Sequence, residues 1–311
     1  MSSSGVPESV AQPFRRPGVA RWIFARHLQA GIVTGIVLLF AVLASMMGVQ
    51  ATSLAAGYQR GPDPATDSLV NDGPFATENV KIDPGNGFGG GTIYYPTDTS
   101  QGTFGGIVIG PGFSTGRGYY EWIGAKLATF GFVAFVTDTN NLGDSVDSRG
   151  AQLLAAADFL TQSSPARDRV DGSRMALSGH SAGGAAALAA AAGRPGLATV
   201  IGLAPGEPDM GGLVQAMSGL KVPAMIVAGQ NDMPAPKELY DAIGSAPKSY
   251  VQIAGEGHGF PAGGSMVMFR NMVPWLKVFV DKDTRYTQFL CPGLADSSGV
   301  SQYENTCPFM S

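Results

Sequence analysis

Hydrophobic and polar positions follow two different rhythms along this chain. Two short runs, "ENVKI" (78–82) and "GTIYY" (91–95), alternate residue by residue around the glycine-rich "DPGNGFGGG". That is the pattern of a hairpin or meander. From 104 onward the runs become mainly apolar: "FGGIVIGPG" (104–112), "GFVAFVTD" (131–138), "SRMALSG" (173–179), "ATVIGLAP" (198–205), "VPAMIVAG" (222–229) and "SYVQIAG" (249–255). Between and after them lie stretches at helical spacing: "YYEWIGAKLATF" (119–130), "SRGAQLLAAADFL" (148–160), "AAALAAAA" (185–192), "APKELYDAIG" (235–244) and "GSMVMFRNMVPWLKVFVD" (264–281). A strand that is apolar on both faces must be covered on both faces. The alternation therefore predicts an α/β fold, with a mostly parallel central sheet and helices on each side. Residues 57–80, rich in Gly, Pro, Asp and Asn, read as an entry segment. No repeat or linker divides 57–311, which is expected to form one domain.

The first 56 residues stand apart. They carry Arg15, Arg16, Arg21 and Arg26 against Glu8, a net charge of +3, which leaves −7 on the remainder of a chain of net −4. From Leu28 to Gln59 there is no formal charge, and the 19 residues "GIVTGIVLLFAVLASMMGV" (31–49) are strongly apolar. A basic flank, an apolar core and then small residues describe an export leader over 1–56. The alternative is a retained membrane anchor, since a run of this length also spans a bilayer. Secretion is the expected outcome, with membrane association only if the leader stays.

Composition then removes several function classes. Charged residues make up only 14% of the 311 positions, and no basic cluster offers a phosphate-tracking patch, so nucleic acid is not an expected partner. There is no GxxxxGK[ST] and no convincing dinucleotide fingerprint. With two Cys and three His, a structural zinc site is not readily assembled, and no cofactor or metal is expected. Both cysteines, Cys291 and Cys307, lie near the C-terminus. An even count in an exported chain reads as a disulfide, here pinning the chain end.

The chemistry gathers at one junction. "MALSGHSAGGAAALAAAA" reads as strand, sharp turn and helix, with Ser181 at the apex of the G-x-S-x-G formed by Gly179–Gly183. The turn is too tight for a Cβ two residues before or after the serine. Its strain lifts the hydroxyl above the sheet, in front of a helix N-terminus. A serine hydroxyl needs a base, and the chain has only His27, His180 and His258. His27 sits beside the leader's apolar run, and His180 is the serine's own neighbour on a sharp turn. His258, in the loop "GEGHGF" beyond the last apolar run, is therefore the expected base. The orienting acid falls between serine and histidine in the chain. Of Glu207, Asp209, Asp232, Glu238, Asp241 and Glu256, Asp232 lies directly past a buried strand and is preferred, with Asp209 next. The amides of Ala182 and of Phe113, in "GPGFSTG", are the expected oxyanion donors.

These motifs carry a resemblance. "GPGFSTGRGYYEWIGAKLATFGFVAFVTDTN", "GHSAGG", "AGQNDMPAP", "GEGHGF", the tail "DKDTRYTQFLC…C" and the entry stretch "RGPDPATDSLVNDGPFATENVKI" resemble the bacterial cutinase and polyester-hydrolase family over roughly 57–311. The resemblance implies an exported α/β-hydrolase without a large lid, acting through an acyl-enzyme. It implies Ser181, Asp232 and His258 as the triad, Phe113 and Ala182 as the oxyanion hole, and a Cys291–Cys307 bridge. Phe113, His180, Gly206 and Pro234 are expected to contact substrate. One region departs from the family, which usually carries a tryptophan after the strand ending "GLAP". Here Gly206 stands there, followed by a segment longer than expected, in which Met210 or Met217 could supply a substitute contact. That points to aliphatic rather than aromatic esters. The extra cysteine pair near the triad found in some polyester hydrolases is also missing, with Gly229 and Phe260 at those places. The expectation is a monomeric serine ester hydrolase acting on esters or polyesters. A lipase or general carboxylesterase with the same triad is one alternative. A non-catalytic, membrane-anchored surface-binding protein on this scaffold is another, though such a protein has no need of all three residues.

Overall fold

A computed structural model describes residues 58–309. The expected leader, 1–56, lies outside these residues. Nine strands form one sheet: β1 (Thr77–Ile82), β2 (Gly91–Pro96), β3 (Phe104–Gly110), β4 (Phe132–Thr137), β5 (Val170–His180), β6 (Thr199–Leu203), β7 (Ala224–Gly229), β8 (Lys248–Ile253) and β9 (Val300–Asn305). The spatial order is β1-β2-β4-β3-β5-β6-β7-β8-β9. Strands β4 through β8 in that order pair in parallel, while β1, β2 and β9 pair antiparallel at the two edges. The sequence rhythm tracks this arrangement. Every residue of β3, β4, β6 and β7 is buried, whereas edge strand β1 leaves four of its six positions exposed.

Among the described residues, six α-helices cover the sheet: α1 (Glu121–Thr129), α2 (Val146–Gln162), α3 (Ala182–Ala192), α4 (Gly211–Ser218), α5 (Ala235–Ala242) and α6 (Met266–Phe279). They divide between two cores. Leu153 and Leu160 of α2, Ala186 and Leu188 of α3, Leu213 and Met217 of α4 and Leu239 of α5 pack on one face. Ile123 and Leu127 of α1 pack with Phe269, Trp275 and Leu276 of α6 on the other. The chain is thus an α/β-hydrolase fold with helices on both faces of a mostly parallel sheet. Among the described residues, no helix is long and apolar enough to cross a membrane.

Two elements carry no clear sequence signal. Helix α4 opens on Gly211-Gly212 and is followed by Gly219, residues of poor helix propensity. Only the burial of Leu213 and Met217 against the core explains it. Strand β9, "VSQYEN", is largely polar because it is an edge, and its pairing with β8 supplies the order. The Cys291–Cys307 disulfide forms, with Cα atoms 5.9 Å apart.

The topology fixes where chemistry can occur. β4 lies on one side of β3 and β5 on the other, so the strand order reverses there. The loops leaving the carboxyl ends of β3 and β5 part to opposite faces and leave a crevice, which is where ligands bind in open α/β sheets.

Candidate active site

Ser181 sits between β5 and α3 with φ 55° and ψ −123°. A non-glycine residue rarely adopts this conformation, and here the surrounding structure imposes it. A Cβ on Gly179 would lie 2.3 Å from the Gly183 carbonyl oxygen, and one on Gly183 would lie 2.4 Å from the Pro111 oxygen. Backbone occupies both spaces, so both positions must be glycine. The Ser181 N–H donates to the Leu203 carbonyl at 2.9 Å, tying the turn to the neighbouring strand. The alanine run behind it serves the same closeness. Nine of the eleven residues of α3 are buried, and small side chains let that helix nestle among the sheet, α2 and α4.

His258 and Asp232 arrive from the loops after β8 and β7. His258 Nε2 lies 2.9 Å from Ser181 Oγ, and its Nδ1 lies 2.9 Å from Asp232 Oδ1. The Asp232 side chain is 1% exposed and that of His258 is 37% exposed. Asp232 Oδ1 also accepts the Met233 N–H at 2.8 Å, while its Oδ2 has no partner among the described residues. The bond to Asp232 raises the His258 pKa above its ordinary value, overcoming the opposing effect of burial. Of the acids weighed from sequence, Asp232 is the one that reaches His258, and Asp209 is exposed on the cleft wall.

The loop after β3 brings Phe113 to the same place, 60% exposed at the mouth of a cleft of about 570 Å³. Ser181, Ala182, Gly206 and Met233 line this cleft with Phe113. Among the described residues, neither the Phe113 N–H nor the Ala182 N–H donates to a protein acceptor. Ala182 opens α3, so its amide belongs to the positive end of that helix. Gly206 stands in the wall with space beside it: a Cβ there would meet only the Ala235 Cβ at 3.7 Å and the Met233 Cε at 3.8 Å. Pro234 is exposed at the start of α5. His180 is buried, with both ring nitrogens bonded to protein groups. Met217 is fully buried under α4 and cannot reach substrate, and Met210 turns its sulfur to the Glu207 N–H.

Three contributors escape a reading of the sequence. Met233, 57% exposed, is the thioether that borders the cleft. Arg149 is a buried cation whose guanidinium faces carbonyls: it donates to Pro111 and Gly112 at 3.0 and 3.2 Å, to Leu142 at 2.6 Å and to Asp144 at 2.8 Å. It thereby holds the Phe113 loop against the opposite cleft wall. Its only sequence signal is a charge on an otherwise apolar helix stripe. Tyr120, whose hydroxyl meets His180, gives no signal beyond its aromatic character.

A strained serine at a strand–helix turn, hydrogen-bonded to histidine and through it to a buried carboxylate, places the protein among α/β-hydrolases of the serine type. The comparisons agree. A PET hydrolase-like family model matches residues 52–308, and the chain belongs to that family. It is 38% identical over 304 residues to the bis(hydroxyethyl) terephthalate hydrolase of Streptomyces coelicolor, covering 94% of this chain and 96% of that protein. It is 37% identical to cutinase cut1 of Thermobifida fusca, covering 98% of this chain and all of that one. Cutinase 2 of Thermobifida cellulosilytica is 39% identical, covering 82% of this chain and 100% of its own.

Proposed function

We propose that this protein is an exported carboxylic-ester hydrolase of the cutinase or polyesterase type, working through an acyl-enzyme on Ser181. One observation carries the reading: Asp232, His258 and Ser181 are joined by two hydrogen bonds of 2.9 Å at the apex of the elbow. His258 Nε2 takes the proton of Ser181 as Oγ attacks the ester carbonyl. Asp232 accepts the Nδ1–H bond, fixing the tautomer and stabilising the imidazolium. The negative charge that develops on the carbonyl oxygen is met by the N–H groups of Phe113 and Ala182. His258 then returns its proton to the leaving alcohol. Water attacks the acyl-enzyme with His258 again as base, and the carboxylic acid departs.

The cleft favours aliphatic acyl groups. Phe113 and Met233 offer apolar contacts, while Gly206 offers no flat surface on which an aromatic ring could stack. The relatives named for cutin and for a terephthalate ester support the ester chemistry. The leader over 1–56, the disulfide and the low charge support secretion.

A fluorophosphonate probe tests the function directly. It should label the purified protein on Ser181 with one equivalent, and Ser181→Ala should take no label. A hydrolysis panel of p-nitrophenyl esters, triglycerides, cutin and polyesters then separates polyesterase from lipase and general carboxylesterase. Absence of both labelling and turnover would leave the non-catalytic binding protein standing.

A further inference from the structure

Beneath the elbow, a line of buried hydrogen bonds joins three loops, and the proposed reaction does not use it directly. Tyr120 is 1% exposed, and its hydroxyl lies 2.8 Å from Nδ1 of His180. Nε2 of His180 lies 2.9 Å from the backbone carbonyl oxygen of His258. A carbonyl only accepts, so Nε2 carries the ring proton. Burial pushes the His180 pKa down to about 4, so at neutral pH the ring holds no second proton. Nδ1 is then a bare acceptor, and the Tyr120 hydroxyl must donate to it. The phenol oxygen in turn accepts the Gly112 N–H at 3.4 Å and faces Thr115 Oγ1 at 3.1 Å. The donors therefore run one way, from Gly112 to Tyr120, to His180, to the His258 carbonyl.

The two ends of this line matter. Gly112 immediately precedes Phe113, the expected oxyanion donor. The far carbonyl belongs to His258 itself, which stands between Gly257 and Gly259 in a loop with little stiffness of its own. Among the described residues, the Gly259 N–H, the other half of the peptide that carries this carbonyl, donates to no protein acceptor, so the bond from His180 is the one that fastens that peptide group.

We propose that Tyr120 and His180 are positioning residues, a bridge that ties the oxyanion loop to the histidine loop and holds His258 within reach of Ser181. The proposal rests on the catalytic reading of Ser181, His258 and Asp232. It gives His180 a role other than the substrate contact expected from sequence, because neither ring nitrogen is left to meet a ligand.

The test compares full-length wild type with Tyr120→Phe, His180→Leu and His180→Gln. The readouts are kcat and KM on p-nitrophenyl butyrate, the rate of Ser181 phosphonylation by a small fluorophosphonate, and Tm. Tyr120→Phe and His180→Leu should each lower kcat and the phosphonylation rate about fivefold to tenfold, with KM moving by less than about twofold. His180→Gln keeps an N–H near the place of Nε2 and should recover at least about half of the lost rate. A substrate contact would instead raise KM and leave phosphonylation at the wild-type rate. A purely structural role would lower Tm and leave both rates intact well below it. Either result overturns the bridge. If His180→Leu does not accumulate as folded protein, Tyr120→Phe decides, and wild-type rates in that variant overturn the proposal. Wild type that takes no label on Ser181 overturns the catalytic reading and the bridge with it. Labelled wild type with unaltered Tyr120→Phe rates overturns the bridge alone.

Discussion

At the scale of single residues, the proposed chemistry turns on His258 and the proposed selectivity on Gly206. His258 is held to Asp232 at 2.9 Å, and that bond raises its pKa. As a base it works only when unprotonated, so kcat/KM should rise with pH through a midpoint above the ordinary histidine value of about 6.5. Asp232→Asn removes the cause of the rise and should move this acid limb to lower pH as well as slow the reaction. The same shift bears on stability with the opposite sense. The folded state favours protonated His258, so this contribution is present below the unfolded histidine pKa and is lost as pH rises through the folded one. Ser181→Ala and His258→Ala should each cost at least about 10³-fold in kcat in folded protein. A pH–rate profile and circular dichroism check all of these, and full activity in His258→Ala would remove the base assignment. Gly206 is the position proposed to govern selectivity. An aromatic contact is worth about 0.5–1.5 kcal/mol beyond burial, and the wall has room for a side chain there. Gly206→Trp should raise the rate on aromatic polyester, relative to p-nitrophenyl butyrate, by about twofold to tenfold. Wild type should act faster on aliphatic than on aromatic polyester, and paired film assays would show the reverse if the cleft is misread.

At the scale of elements, the β5–α3 elbow and the C-terminal clamp do different work. Gly183→Ala would drive a methyl group onto the Pro111 and Gly110 carbonyl oxygens, at 2.4 and 2.7 Å. The elbow cannot yield without moving the Phe113 loop, so the variant should lose about 1–3 kcal/mol of stability. Its kcat should fall with it, even well below its Tm. Denaturant melts paired with single-turnover kinetics would reveal whether elbow and oxyanion loop are coupled in this way. The disulfide closes a loop across a sequence separation of 16 and precedes no catalytic group. It fastens the segment that carries β9, which pairs with β8, and β8 leads into the His258 loop. In the chain-entropy model such a loop is worth roughly 3 kcal/mol. Cys291→Ser should lower Tm and shorten the half-life on heating, with little change in initial rate at low temperature. Thermal scans with initial-rate assays separate the two effects.

At the scale of the whole molecule, charge divides unevenly along the chain. Residues 1–56 carry +3 and residues 57–311 carry −7, the division that the proposed export leader would give. N-terminal sequencing of protein from culture medium should find a start near residue 57, and recovery of intact chain only from membranes would favour the anchor.

Much of this was legible in the sequence, for a physical reason. Buried parallel strands are largely apolar, so six strands and the helices between them stand out as runs. G-x-S-x-G announces Ser181 because backbone crowding admits only glycine at 179 and 183, and a count of three histidines isolates His258. Where side chains answer only to distant partners, the sequence is silent. Helix α4 and strand β9 exist because burial and edge pairing override weak local preference. Arg149, Tyr120 and Met233 acquire their roles only when the sheet order brings distant loops to one crevice, as the separations of 38 residues from Arg149 to Pro111 and 60 from Tyr120 to His180 show. The sequence by itself determined which groups could carry the chemistry, because that depends on residue type and local backbone. The tertiary structure decided which buried groups hold them in place, because hydrogen bonds across a fold depend on distances that no local pattern encodes.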